Sequence, residues 1–316
     1  MPLLHVGIYL LSFIALWMGT QLIVSSVEKL AHRLKVTSFS ISFFLLGIFT
    51  SIPEFGVGLS AIAERKPSIF VGNLIGGIPI IFFLIIPLLA IFGNGIRLNH
   101  QLTARNLLLC FVVMLAPAFL MIDHSVSTLE GIVMIALYAI LFYVIQKDKG
   151  VLDSQRNNIF HVKSYSLMDI LRVLLGVSIV LGGSYMVVEQ TKYFATFLGI
   201  APFYLSLFLL SIGTNLPELS LAIRSVISHT KDVAFGDYVG SAAANTFLFG
   251  FLTLLNFGSV VTTDNFFKTF LILAGGLLLF FYFTRSKHDI SRREGFLLLL
   301  VYILFVIIES TTAFLF

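Results

Sequence analysis

Apolar residues run along this chain in long blocks separated by short polar stretches. Ten blocks can be traced, approximately at 3–25, 37–64, 68–92, 103–121, 126–146, 168–190, 199–228, 232–256, 265–284 and 294–316. A helix of about 20 apolar residues spans the hydrocarbon core of a bilayer, and no soluble fold needs so many long apolar runs. The pattern therefore predicts an all-α membrane protein with ten transmembrane helices. The longest polar connection, 147–166, splits the chain into two five-helix halves, 1–146 and 167–316.

The halves carry a repeat. Residues 36–83 align without gaps onto 200–247, at an offset of 164. Matching positions include Phe39/Phe203, Leu45/Leu209, Thr50/Thr214, Pro53/Pro217, Glu54/Glu218, Gly72/Gly236 and Gly76/Gly240. Chance apolar similarity accounts for the Phe and Leu matches, but not for T-x-x-P-E and G-x-x-x-G at one shared offset. Five spans separate the copies, so they cross the membrane in opposite directions. Inverted repeats of this kind mark secondary transporters, with the binding site near the midplane where the repeats meet.

Composition and charge agree. The chain has 316 residues, of which 58% are hydrophobic and 11% charged, against about 25% charged in a soluble domain. Fifteen Lys and Arg fall in loops 1–2, 3–4, 5–6, 7–8 and 9–10, against four (Arg65, Lys66, Lys192 and Lys268) in the other loops. The positive-inside rule places the richer side in the cytoplasm and both termini outside. The net charge of +4 is then the signature of cytoplasmic loops and calls for no nucleic acid. Cys110 is the only cysteine, so neither an intrachain disulfide nor a cysteine metal site can form. The first apolar block lacks a basic leader and a small-residue cleavage site, and reads as a retained helix.

Two acids stand out. Glu54 and Glu218 each lie near the middle of a long apolar span, where an ionised carboxylate costs several kcal/mol and is a functional residue by default. A salt bridge to a buried base is the bland alternative, but no Lys or Arg lies mid-span in spans two, three, seven or eight, apart from Arg224 towards one end. A cation is the more economical counter-charge. Pro53 and Pro217 precede the acids, and a helical proline clashes with the carbonyl four residues back, here Phe49 and Gly213. Each helix is expected to bend, freeing carbonyls around 47–50 and 211–214. Those carbonyls, the Thr50 and Thr214 hydroxyls and the carboxylates make an all-oxygen site, which suits calcium with its 6–8 oxygen ligands. Spans three and eight carry G-N-L-I-G-G (Gly72–Gly77) and G-D-Y-V-G-S (Gly236–Ser241), and glycines four apart allow close helix approach. Ser241 and Asn245 share one helical face and can point at the same site. Asp237 reads equally as a helix-start residue or a ligand.

The T-S-I-P-E and T-N-L-P-E motifs, each followed by G-[ND]-x-x-G, resemble the two α-repeats of the sodium/calcium exchangers of the calcium/cation antiporter superfamily. The resemblance implies a monomeric plasma- or inner-membrane antiporter with alternating access, transporting Ca2+ and Na+ with no cofactor. It implies a calcium site of Glu54, Glu218, Thr50 and Thr214. Ser51, Asn215, Ser241 and Asn245 complete flanking sodium sites, and the carbonyls of Gly47 and Ser211 serve as main-chain ligands. The resemblance further implies that the first and sixth spans slide past the rest. The first repeat departs from the family's G-S-N-x-x-N continuation, with Gly77, Ile78 and Ile81 at the polar positions, and the second keeps Ser241 and Asn245 around Ala242. Two carboxylates balance one divalent ion or two monovalent ions. The departure implies weaker sodium coupling, altered stoichiometry, or coupling to protons through Glu54 and Glu218, so a proton-coupled or other divalent-cation exchanger is the alternative. An intramembrane enzyme would want Ser/His or paired Asp residues within spans, and none appear; an ion channel fits broken helices in inverted repeats less well than a transporter.

Overall fold

The computed structural model describes residues 2–33, 47–98, 102–147, 167–227, 232–233, 235–262, 266–286 and 289–313. The start of the expected second span, with Phe39 and Leu45, and nearly all of the connection at 147–166 lie outside the described residues.

The chain folds as α1 (Pro2–Arg33), α2 (Ile52–Ala63), α3 (Ser68–Pro79), α4 (Ile86–Phe92), α5 (Ala104–Leu120), α6 (Thr128–Lys147), α7 (Leu167–Leu198), α8 (Pro202–Leu205), α9 (Ser211–Thr214), α10 (Leu216–Ile227), α11 (Phe235–Leu255), α12 (Phe266–Ser286) and α13 (Arg292–Ala313). A π-helical stretch, Ile80–Ile85, joins α3 to α4, and another, Ser206–Leu210, joins α8 to α9. The first follows Pro79, which removes one donor from the helical ladder and crowds the preceding turn. Among the described residues, eight helices are long and apolar enough to cross a membrane, by length and composition. Two shorter apolar helices, Ile52–Ala63 and Pro202–Thr214, fall where the sequence places its second and seventh spans.

Helix starts are fixed by local chemistry. Thr103 caps α5 by accepting a hydrogen bond from the Asn106 amide at 3.2 Å. Ser127 and Glu130 form a reciprocal capping box at the start of α6: the Ser127 amide donates to Glu130 Oε2 at 2.7 Å, and the Glu130 amide donates to Ser127 Oγ at 3.3 Å. Ser291 and Glu294 repeat it before α13, at 2.8 and 3.3 Å. Such boxes satisfy orphan helix amides. The two boxes lie 164 residues apart.

Short strands tie the connections together. β1 (Ile96–Leu98), β3 (Asp232–Val233) and β5 (Asp289–Ile290) form one sheet in the order β3-β1-β5, and β2 (Ser125–Val126) pairs with β4 (Val260–Val261) in a second. β1 and β5 are antiparallel with Ile96 opposite Ile290 and Arg97 opposite Asp289. β2 and β4 are antiparallel with Val126 opposite Val260 and Ser125 opposite Val261. Adding 164 to one partner and subtracting it from the other converts the first register into the second.

α3 and α11 form the centre. From Ile69 to Pro79 every residue of α3 is buried, whereas α6, α7 and α13 each present one face of exposed Leu, Ile and aromatic side chains. Around the centre, Phe82 meets Phe111 and Phe280 edge-on, with ring centroids 5.5 and 5.0 Å apart. Apolar side chains gain little from leaving lipid, so helix association there rests on close packing and small residues. α1 and α7 show this best. A Cβ on Gly176 would lie 2.7 Å from the Gly19 carbonyl, and one on Gly183 would lie 3.3 Å from the Ser12 carbonyl. The pair α1–α7 touches the remainder chiefly through α2, where Ser184 and Ser60 hydroxyls bond at 3.0 Å. At the end of α2, Lys192 bridges Glu64 at 2.8 Å and Glu189 at 2.6 Å.

Candidate cation site

The site grows out of two matched breaks in helical backbone. Residues 47–50 are helical, Ser51 leaves the helix with φ −85° and ψ 14°, and α2 starts at Ile52 with Pro53 in its first turn. α9 ends at Thr214, Asn215 adopts φ −90° and ψ 16°, and α10 starts at Leu216. The expected proline-linked interruptions are therefore present, one residue beyond the threonines.

The hydrogen bonds at the breaks correspond one for one. The Ser51 amide reaches the Gly47 carbonyl at 3.3 Å, and the Asn215 amide reaches that of Ser211 at 3.2 Å. Thr50 Oγ1 donates to the Gly47 carbonyl at 3.3 Å, and Thr214 Oγ1 lies 3.4 Å from the Ser211 carbonyl. Ser51 Oγ donates to the first carbonyl at 2.8 Å, and Asn215 Nδ2 to the second at 2.8 Å. Both carbonyls stand at the breaks as expected, but each is engaged by its own turn. A cation approaching either one requires the side-chain donors to turn aside.

The acids open the helices after the breaks. Glu54 and Glu218 are buried, each in the first turn of the helix that follows its break. Ser241 Oγ donates to Glu218 Oε1 at 2.9 Å. Thr214 Oγ1 donates to Asn73 Oδ1 at 3.0 Å. Ser51 Oγ is 3.5 Å from the Ser241 carbonyl. Asn245 Nδ2 faces the Leu74 carbonyl at 3.4 Å on α3. The buried oxygens Glu54 Oε2, Asn215 Oδ1 and Asn245 Oδ1 accept no hydrogen bond from the protein. Unsatisfied buried acceptors are costly, and a set of them beside two carboxylates is what a desolvated cation requires.

Glycine lets the helices come this close. A Cβ on Gly47 would lie 2.6 Å from the carbonyl carbon and oxygen of Gly240, and one on Gly72 or Gly76 would run into the carbonyls of Phe203 and Leu207.

Glu54, Thr50, Ser51, Gly47, Glu218, Thr214, Asn215, Ser211, Ser241 and Asn245 thus gather between the two breaks, α3 and α11. Gly77 in α3 and Ile81 in the π-helical stretch that follows it are both buried, and the Asp237 side chain lies outside the described residues. Sequence reasoning missed Asn73, a fully buried amide bonded to Thr214. Its signal was available: Asn73 and Asp237 are polar at matching repeat positions in otherwise apolar spans.

A family described as sodium/calcium exchanger protein matches residues 4–146 and 168–310, two blocks that begin and end 164 residues apart. The sodium/calcium exchanger MaX1 of Methanosarcina acetivorans is 26% identical over 339 aligned positions, covering 95% of this chain and 97% of that protein. An uncharacterised membrane protein of Methanocaldococcus jannaschii is 28% identical over 245 positions, covering 78% and 80%. Among solved structures, the sodium-calcium exchanger NCX_Mj, soaked with 2.5 mM Na+ and 10 mM Sr2+, is similar with a TM-score of 0.65 and 25% identity, covering 96% of this chain and 98% of that one. A crystal structure of the H+/Ca2+ exchanger CAX shares the fold with a TM-score of 0.74 at 17% identity, covering 98% and 87%.

Proposed function

The chain belongs to the sodium/calcium exchanger protein family, and from that premise we propose that it exchanges Ca2+ for Na+ across the membrane by alternating access at the Glu54–Glu218 site. The family transports ions and is not enzymatic, and its members are multi-pass membrane proteins. The observation that carries the proposal is the pairing of two buried acids at two matched helix breaks, with Glu54 Oε2, Asn215 Oδ1 and Asn245 Oδ1 left without donors.

Glu54, Glu218, Thr50 and Thr214 supply the oxygen ligands of a central divalent ion. Ser51, Asn215, Ser241 and Asn245, with the Gly47 and Ser211 carbonyls, supply flanking positions for monovalent ions. Two carboxylates neutralise one Ca2+ or two Na+, and a surplus charge is disfavoured in a low-dielectric site. Occupancy by one species thus excludes the other, which couples the two fluxes without a further device. Both acids come from one chain, which supports a monomeric transporting unit.

Ten spans in two inverted five-helix repeats are the architecture this requires. Support comes from the capping boxes, the strand registers and the helix breaks, all of which recur at an offset of 164. The α1–α7 crossings recur likewise, since Gly19–Gly176 maps onto Gly183–Ser12. The strand pairings join only connections that the Lys and Arg count assigns to the same side, which supports the alternating topology; the excess of Lys and Arg on one side supports both termini being outside. Close mutual packing of α1 and α7 supports their motion as a pair against the rest.

A second reading, coupling to protons, is favoured by one specific observation. Gly77 and Ile81 offer no side-chain oxygen on the first repeat, and a proton on Glu54 balances charge without needing such ligands. The deciding experiment is radiolabelled Ca2+ uptake into proteoliposomes loaded with Na+, against Na+-free, pH-gradient and Glu54→Gln controls. Uptake that needs outward Na+ and vanishes in Glu54→Gln is expected. Uptake driven by pH alone selects proton coupling, and no uptake under any gradient refutes calcium antiport.

A further inference from the structure

The repeat makes a demand that the site does not meet. Ser241 holds Glu218 through a 2.9 Å hydrogen bond, and the position 164 residues earlier, which should hold Glu54 in the same way, is Gly77. Glu54 Oε2 is correspondingly a buried acceptor without a donor.

The space left at Gly77 is filled from the other repeat. A Cβ built on Gly77 would lie 2.6 Å from Asn245 Nδ2 and 3.6 Å from Asn215 Nδ2. Both amides are oriented by main-chain carbonyls, which can only accept: Asn215 Nδ2 donates to Ser211 at 2.8 Å, and Asn245 Nδ2 faces Leu74 at 3.4 Å. Their nitrogens, not their oxygens, therefore converge on Gly77. An amide NH2 group has only donors and turns positive charge towards its surroundings.

We propose that Gly77 is a specificity-determining position: its missing side chain admits the Asn245 amide, whose N–H groups close the Gly77 side of the first-repeat flank to monovalent cations, leaving flanking sodium binding to Ser51, Ser241 and the Asn215 and Asn245 side-chain oxygens that point away from Gly77. This deepens the exchanger reading and rests on it. Fewer Na+ ions then bind together than a symmetric site would hold, and Na+ competes with Ca2+ less steeply.

The test uses the full-length chain in liposomes with tracer Ca2+, together with Na+ competition against Ca2+ binding and thermal melting. Gly77→Ser, Gly77→Ala, Asn245→Ser and the double variant Gly77→Ser/Asn245→Ser are compared with the parent. Either Gly77 single variant is expected to cut Ca2+ uptake at least ~10-fold, because misplaced site groups are costly. The double variant is expected to recover to the level of Asn245→Ser or above, since a serine at 245 does not reach Gly77. Its Na+ competition curve is expected to be steeper than that of the parent, as an added ion requires. Full uptake by both Gly77 single variants, or a double variant no better than Gly77→Ser, overturns the exchange of space. A transporting double variant with unchanged Na+ steepness overturns closure of the flank. Failure of the parent to take up Ca2+ refutes the exchanger reading instead, and non-additive melting across the four serine-cycle proteins then reports the Gly77–Asn245 contact on its own.

Discussion

Replacing Gly47 with alanine sets a methyl group 2.6 Å from the carbonyl carbon and oxygen of Gly240 and 3.1 Å from the Ser241 amide. Ordinary contact for a Cβ begins at 3.4 Å, so the 47–50 turn and α11 must separate by about 0.8 Å. Neither colliding group is a flexible side chain that can swing aside. Overpacking of this kind costs ~1–3 kcal/mol. The movement also carries Ser241, which holds Glu218, away from Ser51, and a ~1 Å misplacement of a reacting group can cost ~100-fold. Gly47→Ala is therefore expected to lower the melting temperature and to reduce radiolabelled Ca2+ uptake by ~10–100-fold. The mirror position supplies the control. Ser211 already carries a Cβ against Gly76, so Ser211→Ala adds no volume and removes the hydroxyl that bonds the Leu207 carbonyl at 2.5 Å and lies 3.3 Å from that of Phe208. A bond of that kind is worth ~0.5–1.5 kcal/mol, and uptake by Ser211→Ala should stay within ~10-fold of the parent. A Gly47→Ala protein with parental melting and parental uptake refutes the claim that backbone-to-backbone approach of these helices sets the site.

Ser241→Ala removes the donor to Glu218, and hydrogen bonds to charged groups are worth ~1.5–3 kcal/mol; Ca2+ affinity measured by calorimetry should fall at least ~10-fold. Asn73→Leu strips Thr214 of a neutral partner, and a loss of ~1 kcal/mol should weaken Ca2+ binding roughly 5-fold while leaving Na+ steepness unchanged. Gly250→Val puts bulk against the Gly131 carbonyl at the α6–α11 crossing, away from the site, so it should lower the melting temperature and leave the Ca2+ Kd of the surviving protein unaltered. Lys192→Met breaks a partly exposed bridge of the kind worth ~0–1 kcal/mol, and uptake should change less than ~5-fold, with a smaller change still at high salt.

The sequence displayed the apolar spans because bilayer thickness dictates their length. It displayed the site because acids, prolines and threonines recurred at one offset against an apolar background. Other features were hidden for physical reasons. The π-helical stretches are apolar apart from Ser206, and in so apolar a background one extra residue per turn leaves no mark on the pattern. The capping boxes were legible as S-x-x-E at 127 and 291, but they lie beyond the aligned 36–83 and 200–247 segments. Asn73 was passed over because its glycine neighbours offered a packing explanation for the whole motif. That the Gly47 and Ser211 carbonyls are engaged by their own turns depends on side-chain rotamers, which a sequence does not specify. Likewise, Gly77 read as a lost ligand; only the placement of the Asn245 and Asn215 amides shows what stands in its place.

The two halves are interleaved: β1 pairs with β3 and β5, β2 pairs with β4, and at the site Thr214 bonds Asn73 and Asn245 faces Leu74 of the other half. Neither half can reach its final structure alone, and this has a temporal cost during synthesis. Glu54 leaves the ribosome 164 residues ahead of Glu218, and at ~5–20 residues per second it waits roughly 8–30 s for its partner. During that interval a helix with an unmatched acid and a loose break must be held by something other than its own fold. The nascent first half is thus the point at which the insertion machinery, a lipid headgroup or a proton has to stand in for the missing repeat.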